Sequence, residues 1–526
     1  MIKDKMGSFL DETKTKDRPP VYKFLADGKW QESETGKTVQ IQSPVDSSLV
    51  GLTQTVSQKE AERVIKSAKE AQREWGRVEV WKRAELMHRA GRIVKEVEDE
   101  LVGLLVVEVG KPISQARDEV ERTVELIDYY AEEARRMFGE AIWSDAWPGY
   151  KKEKFALVER VPIGVVLAIT PFNYPVNETA PKLVAGLMTG NSVVLKPSTQ
   201  GAICALSLAQ CFQKAGLPEG VLSVITAPGK ELGDFLVTHP DVACINFTGG
   251  TKTGKHIAQI AAFQKLVMGL SGKDVSIALA DADLDLACEE IAKGAFSFAA
   301  QRCTAIKKVL VEEKIADEFL KKFVKVAKEK FVLGDPRKEE TTLGPVISDK
   351  VADYVKGLLE DALKRGAKLV WGGKRYRLGQ RAEVRGRRSE VGGQRGQVLI
   401  EDQENGLYFE ATILDNVTGD MRIAWEEPFG PVLPITRVGD WKEAVEVANQ
   451  SEFGLQSSVF TKDIDKAFRI AQELDVGSVQ INGKDARGPD HFPFLGTKRS
   501  GMGIVQGAKY LLGEMTRIKT TVVNLR

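Results

Sequence analysis

Histidine and cysteine are scarce in this chain of 526 residues, four of the first and five of the second. His88, His239, His256 and His491 show no HExxH or His-x-His spacing, and Cys204, Cys211, Cys244, Cys288 and Cys303 form no CxxC pair, so no metal centre is expected. An odd number of unpaired cysteines in a long chain predicts reduced thiols and a cytoplasmic protein. Net charge is lacking too. The 75 Lys and Arg residues against 74 Asp and Glu leave +1, which gives no global field toward nucleic acid, membrane or an acidic partner. No run of about 18 apolar residues occurs, and the charged stretch Met1 to Pro20 has no signal-peptide core, so no membrane association is expected. Finally, no GxGxxG follows a strand-like run, which excludes an ordinary Rossmann fingerprint and requires another loop for any nucleotide phosphates.

What is present begins with length, which argues for at least two domains. After a polar lead over residues 1–20, short strand-like pieces fall around Val21–Leu25 and Thr38–Ile41. Three helical segments are expected between Ser57 and about residue 138, from periodic apolar positions such as Leu86, Ile93, Val94, Val97 and Leu101. Tyr150 to Ile169, with its Pro162-Ile163-Gly164 turn, reads as a hairpin or a protruding sheet. Beyond it, short apolar strands at Val165–Thr170, Val193–Lys196, Leu222–Thr226 and Ala243–Phe247 alternate with helices, the mark of a parallel sheet built from βαβ units. A second alternation runs from Val275 to about Asn482. Between Lys374 and Arg395 lie seven arginines, Arg375, Arg377, Arg381, Arg385, Arg387, Arg388 and Arg395, balanced only by Glu383 and Glu390. With no aromatic run beside them, they read as an exposed, mobile insertion rather than a nucleic-acid patch.

Two motifs carry chemistry. Gln301-Arg302-Cys303-Thr304 follows a helix-like run of small residues, Ala292 to Ala300, and sets a thiol beside a guanidinium, an arrangement that favours the nucleophilic thiolate. A lone free cysteine is also often a small buried hydrophobe. Gly249-Gly-Thr-Lys-Thr-Gly254-Lys255-His256 nearly spells the phosphate loop GxxxxGK[ST], but His256 replaces the hydroxyl that would hold magnesium. What survives is a glycine-bearing strand-to-helix turn whose N–H groups suit a pyrophosphate.

Thr170-Pro-Phe-Asn-Tyr-Pro175, Val194-Leu-Lys-Pro-Ser198, Phe247-Thr-Gly249, Gly272-Lys-Asp274, Gln301-Arg-Cys-Thr304, Glu426-Glu-Pro-Phe-Gly-Pro431 and Pro493-Phe-Leu-Gly496, taken in order, resemble the aldehyde dehydrogenase superfamily over nearly the whole chain. Asn173–Asn177, Gln301–Lys307 and Arg487–Phe494 look most like its NADP-dependent, non-phosphorylating glyceraldehyde-3-phosphate dehydrogenases. The resemblance implies an α/β fold with a parallel-sheet cofactor domain (21–142 and 162–269), a second α/β catalytic domain (270–484, with the Arg-rich insertion 374–402) and β oligomerisation elements (143–161 and 485–526), in a homodimer or homotetramer. It makes Cys303 the nucleophile and gives the oxyanion to the Asn173 amide and the Cys303 N–H. It assigns the phosphorylated aldehyde to Arg122, Asn173, Tyr174, Arg302, Thr304 and Arg487, and the cofactor to Thr170, Lys196, Thr199, Asp234, Gly249, Gly254, Leu270 and Glu427. Lys196 beside neutral Thr199 leans toward NADP over NAD, because a carboxylate at 199 would repel a 2′-phosphate.

The chain departs from the pattern at one catalytic position. The family's Glu-Leu-Gly-Gly-Lys appears as Gly269-Leu270-Ser271-Gly272-Lys273, so the glutamate that would activate the hydrolytic water is missing. Acylation and hydride transfer are untouched, while thioester hydrolysis is in doubt and Glu427 is a poor substitute. The alternatives to a hydrolytic aldehyde dehydrogenase are an enzyme passing its acyl group to an acceptor such as coenzyme A, and a weakened NADP-binding protein.

Overall fold

A computed structural model of the chain describes residues 11–17, 19–137, 139–380, 397–486 and 488–525. Arg487, and within the basic insertion Arg381, Glu383, Arg385, Arg387, Arg388, Glu390 and Arg395, lie outside the described residues.

Among the described residues the first of two large sheets has eight strands, in the order Gly501–Met502, Lys265–Gly269, Val242–Thr248, Val165–Ile169, Ser192–Lys196, Leu222–Val224, Phe24–Ala26 and Lys29–Gln31. The five inner strands from Lys265–Gly269 to Leu222–Val224 run parallel. Their near-continuous apolar runs, such as Val165-Val166-Leu167, are buried because crossover helices cover both faces. Strands succeed one another in one direction from Val165–Ile169, and the chain then returns to place Val242–Thr248 on that strand's other side. This reversal opens a crevice beyond the carboxyl ends of the two strands, where Thr170 and Gly249 follow.

The second sheet has seven strands, in the order Lys368–Trp371, Thr412–Asp415, Val432–Val438, Ile306–Glu312, Asp274–Ala278, Gln456–Phe460 and Ser478–Ile481. All are parallel except the Lys368–Trp371 edge. A third, antiparallel sheet joins Glu140–Trp143, Lys154–Pro162 and Thr516–Asn524, the last two in register from Thr516 opposite Pro162 to Asn524 opposite Lys154.

Four sequence expectations are corrected. The Tyr150–Ile169 stretch is no hairpin: Lys154–Pro162 enters the protruding sheet and Val165–Ile169 the centre of the first sheet. The chain turns between them because Gly164 sits at φ 133° and Asn191 Oδ1 accepts from the N–H groups of Ile163 (2.7 Å) and Gly164 (2.9 Å). The helical layer holds four helices, Gln58–Trp75, Val80–Glu96, Glu98–Val109 and Ile113–Ala134, because Val97 at φ −107°, ψ 23° breaks a backbone whose apolar period continues across it. The end of the polar lead is tied down, with Thr13 buried and the Thr15 N–H donating to Val21 O at 2.6 Å. The basic insertion is not loop at its ends, where Arg375–Gln380 pairs antiparallel with Gln397–Glu401. Arg375 is buried there, its guanidinium donating to Gly406 O (2.9 Å) and Asp353 (3.0 Å).

Candidate active site

The crevice opens into a cavity of about 1680 Å³ walled by strand ends of the first sheet and by loops that flank the second, which carry Cys303, Glu427 and Lys484. Cys303 reaches it from a turn that the sequence reading took for helix. The helix Leu284–Phe296 stops four residues early, and Phe298, Ala299 and Ala300 adopt φ of 52°, 50° and 58°. Left-handed backbone costs a side-chain-bearing residue roughly 1–2 kcal/mol, so this turn needs outside support. Phe298 supplies it, buried edge-on to the Tyr174 ring (centroids 6.2 Å apart) and under the Lys111 ammonium at 4.3 Å.

The same ammonium organises the opposite wall. Lys111 and Glu119 form a fully buried ion pair. Lys111 Nζ also donates to Asn173 O at 2.8 Å, and Glu119 Oε1 accepts from the N–H groups of Val176 and Asn177, each at 3.0 Å. Asn173 is thereby fixed, with its Nδ2 donating to Gln301 O at 2.8 Å beside the thiol.

The expected activation of Cys303 by Arg302 does not occur. The guanidinium turns away to donate to the carbonyls of Lys293 and Gly294. Burial, and then the carboxylates of Glu178, Asp274 and Glu427, push the thiol up to about 12 against the opposing Lys307. The resting group is therefore a thiol, and attack requires loss of its proton. Lys307 Nζ bonds to the Cys303 carbonyl oxygen and pairs with Glu427 Oε1 at 3.1 Å, the same oxygen that accepts the Gly272 N–H at 3.2 Å.

Toward the first sheet the cavity wall includes Thr170, Lys196, Thr199, Asp234, Gly249 and Leu270. Gly254 is not on it. A Cβ there would run into the Leu270 side chain, so this glycine serves the close approach of the Thr251–Ile260 helix. Lys196 is buried, its Nζ donating only a long 3.3 Å bond to Pro197 O among the bonds seen, and burial lowers its ammonium to about 8. The Thr170 hydroxyl is buried without a protein partner, and the Thr251–Ile260 helix begins at Gly250 with no side-chain cap. Asp234 faces that helix through a 2.8 Å bond to His256 Nε2. A buried cation, an orphaned hydroxyl and a helix start whose glycine N-cap offers no side chain, along one crevice, suit a dinucleotide with an extra phosphate on its adenosine end.

The cavity's other end gathers Arg122, Tyr174, Arg302 and Thr304 with a cation that the sequence reading missed, Lys484. Burial, then Arg302, hold the Lys484 ammonium below its usual range. Arg122 donates to both oxygens of Asp490, at 2.8 and 3.3 Å, and to Asp118 at 3.5 Å, so its fork is held by two carboxylates. Among the described residues no cluster of His, Cys, Asp or Glu has the makeup of a metal site, and no helix is long and apolar enough to cross a membrane.

Gly269 ends its strand opposite Gly501. A Cβ there would lie 3.4 Å from Thr248 Oγ1 and from Val505 Cγ1, so the backbone and the space admit a side chain, and glycine is not a folding requirement. The sequence reading also missed Lys111, Glu119, Glu178, Lys182, Lys307 and Gln506. Glu178 left a trace, as the first carboxylate after Asn173 at the head of the largely apolar helix Thr179–Met188, in which Lys182 is the one charge.

Residues 30–384 and 377–521 match the sequence profile of the aldehyde dehydrogenase family. The chain is 45% identical over 507 residues to the NADP-dependent glyceraldehyde-3-phosphate dehydrogenase of Pisum sativum, covering 96% of each, and 42% identical to that of Streptococcus equinus, covering 96% and 99%. The crystal structure of the NADP-dependent glyceraldehyde-3-phosphate dehydrogenase of Bacillus halodurans C-125, complexed with NADP, is similar at a TM-score of 0.88 and 42% identity, covering 96% of this chain and 99% of that one.

Proposed function

The chain belongs to the aldehyde dehydrogenase family, and on that footing we propose that it oxidises D-glyceraldehyde 3-phosphate to 3-phosphoglycerate with NADP, without incorporating inorganic phosphate. The observation that carries this reading is one cavity joining the Cys303 thiol and Asn173 amide to Arg122, Arg302 and Lys484 at one end and to buried Lys196 at the other. The named relatives support it. A cytoplasmic homo-oligomer, joined through the sheet that contains Thr516–Asn524, completes the proposal.

In this mechanism the cations and Tyr174 hold the phosphate and so bring the aldehyde carbon to Cys303. Cys303 Sγ adds to that carbon as its proton passes to water in the cavity, and the oxyanion is met by Asn173 Nδ2, which can exchange the Gln301 carbonyl for it, and by the Cys303 N–H. NADP would be held by Lys196, Thr199, Thr170, Glu427 and the Gly250 helix start. When bound, it supplies a nicotinamide that accepts hydride. Cys303 then carries the acyl group as a thioester until water releases the acid.

Gly269 favours a second reading, in which the acyl group passes to coenzyme A, since no base stands at that position. Stopped-flow measurement with NADP and glyceraldehyde 3-phosphate separates the cases. Sustained NADPH formation without phosphate or coenzyme A supports the proposal, and a burst that continues only with coenzyme A supports the second reading. No signal beyond cofactor binding would leave a binding protein. Equal kcat/KM for glyceraldehyde and its phosphate would overturn the substrate assignment.

A further inference from the structure

Hydrolysis of a Cys303 thioester needs a proton acceptor, and three carboxyl groups act on the thiol, those of Glu178, Asp274 and Glu427. Asp274 is buried away from the cavity wall, and burial together with Asp485 favours its neutral form over the opposing pull of Lys307. Glu427 is committed to Lys307 and to the Gly272 N–H. Glu178 lines the cavity with Cys303, Asn173 and Thr304, at 8% exposure. We propose that Glu178 is the general base for thioester hydrolysis, replacing the side chain absent at Gly269.

The geometry around it matches this role. Glu178 Oε1 accepts from Gln506 Nε2 at 2.7 Å, and Gln506 is itself buried. The preceding residue, Val505, borders the space where a side chain at 269 would begin. The segment that closes the vacated position therefore also holds the replacement carboxylate. Thr248 borders the same space from the other side. Its hydroxyl receives Lys182 Nζ at 2.7 Å, and Lys182 stands four residues beyond Glu178, one turn along the helix on the same face. One helix and its N-cap thus supply the ammonium bonded to Thr248 and the carboxylate bonded to the neighbour of Val505.

In the proposed step, Glu178 takes a proton from water as the water oxygen bonds to the thioester carbon. The oxyanion sits at Asn173. Its collapse breaks the C–S bond, expels the Cys303 thiolate and gives the carboxylic acid, and the proton on Glu178 returns to sulfur. One water is consumed and no oxidant is needed.

The assignment rests on the proposed thioester chemistry, so its test is run both with and without the cofactor. Glu178→Gln keeps an acceptor for Gln506 and removes the base. With NADP and glyceraldehyde 3-phosphate this variant should release about one NADPH per subunit as a burst, then turn over ~10²–10⁴-fold slower than the unmodified chain. Mass spectrometry should find the acyl adduct filling the sites. Without NADP, p-nitrophenyl acetate should likewise give one nitrophenolate and a persistent acetyl-enzyme, and the acid limb of the deacylation rate should disappear. Adding Gly269→Glu to Glu178→Gln should recover at least tenfold. Deacylation of Glu178→Gln within threefold of the unmodified chain, loss of its burst, or no recovery in the double variant would overturn the assignment. A persistent acetyl-enzyme in Glu178→Gln, combined with no reaction of the unmodified chain with glyceraldehyde 3-phosphate, would instead overturn the substrate reading and leave Glu178 standing.

Discussion

At the scale of single residues, the cavity's two ends are set by cations whose charge is costly where they lie. Lys196 is buried and lowered to about 8, so in the proposed complex it would meet a 2′-phosphate already charged below that pH, and above it binding would take up a proton. The Kd for NADP is therefore expected to be flat below about pH 8 and to rise toward tenfold per unit above it, while the Kd for NAD stays level; calorimetry across that range checks it. Thr199→Glu should reverse the preference toward NAD in the same titration. At the opposite end, Lys484→Met should raise KM for glyceraldehyde 3-phosphate by on the order of 10–100-fold, the ~1.5–3 kcal/mol of a hydrogen bond to a charged group, and spare unphosphorylated glyceraldehyde. An equal effect on both substrates would make Lys484 a structural residue. The motif residues were legible because their types announce their chemistry. Lys484 was not, since a lone lysine is ordinarily a solvated surface group and only folding places it beside Arg302.

At the scale of elements, the strands and crossovers of the first sheet could be read from apolar runs, and the second sheet from a renewed alternation after Val275. The turn before Cys303 could not. Ser297-Phe298-Ala299-Ala300 has ordinary helix formers, and its left-handed backbone is imposed by Phe298 packing against Tyr174 and Lys111, residues far away in sequence. Nor does any spacing rule predict that Lys111 and Glu119 pair across a helix start to hold the Asn173 loop. Lys111→Met tests how much rests on them. It should strand a buried carboxylate, lower stability by ~3–5 kcal/mol in urea unfolding, and slow the NADPH burst more than substrate binding, because Asn173 and the Phe298 turn lose a common support. A variant with full stability and a normal burst would show that the loop holds itself.

At the scale of the whole molecule, the third sheet leaves Ile142, Ile518 and Val522 exposed on one face of paired strands, an apolar patch that suits the proposed seam between subunits. Removing residues 516–526 should give a monomer in light scattering, where the full chain gives a dimer or tetramer. The route of the chain into that sheet has a further consequence. Val505 closes the gap at 269, Gln506 grips Glu178, the helix Ala508–Glu514 follows, and Asn191 takes the Met515 carbonyl at 2.8 Å just before Thr516–Asn524 begins. Fewer than twenty consecutive residues thus run from the proposed hydrolytic site to the proposed seam between subunits, while Cys303 and Asn173 hang from other parts of the chain. Dilution should therefore act as a selective brake. Subunits that part company would still oxidise one aldehyde each and then stall with the product attached, and reconcentration would set them free.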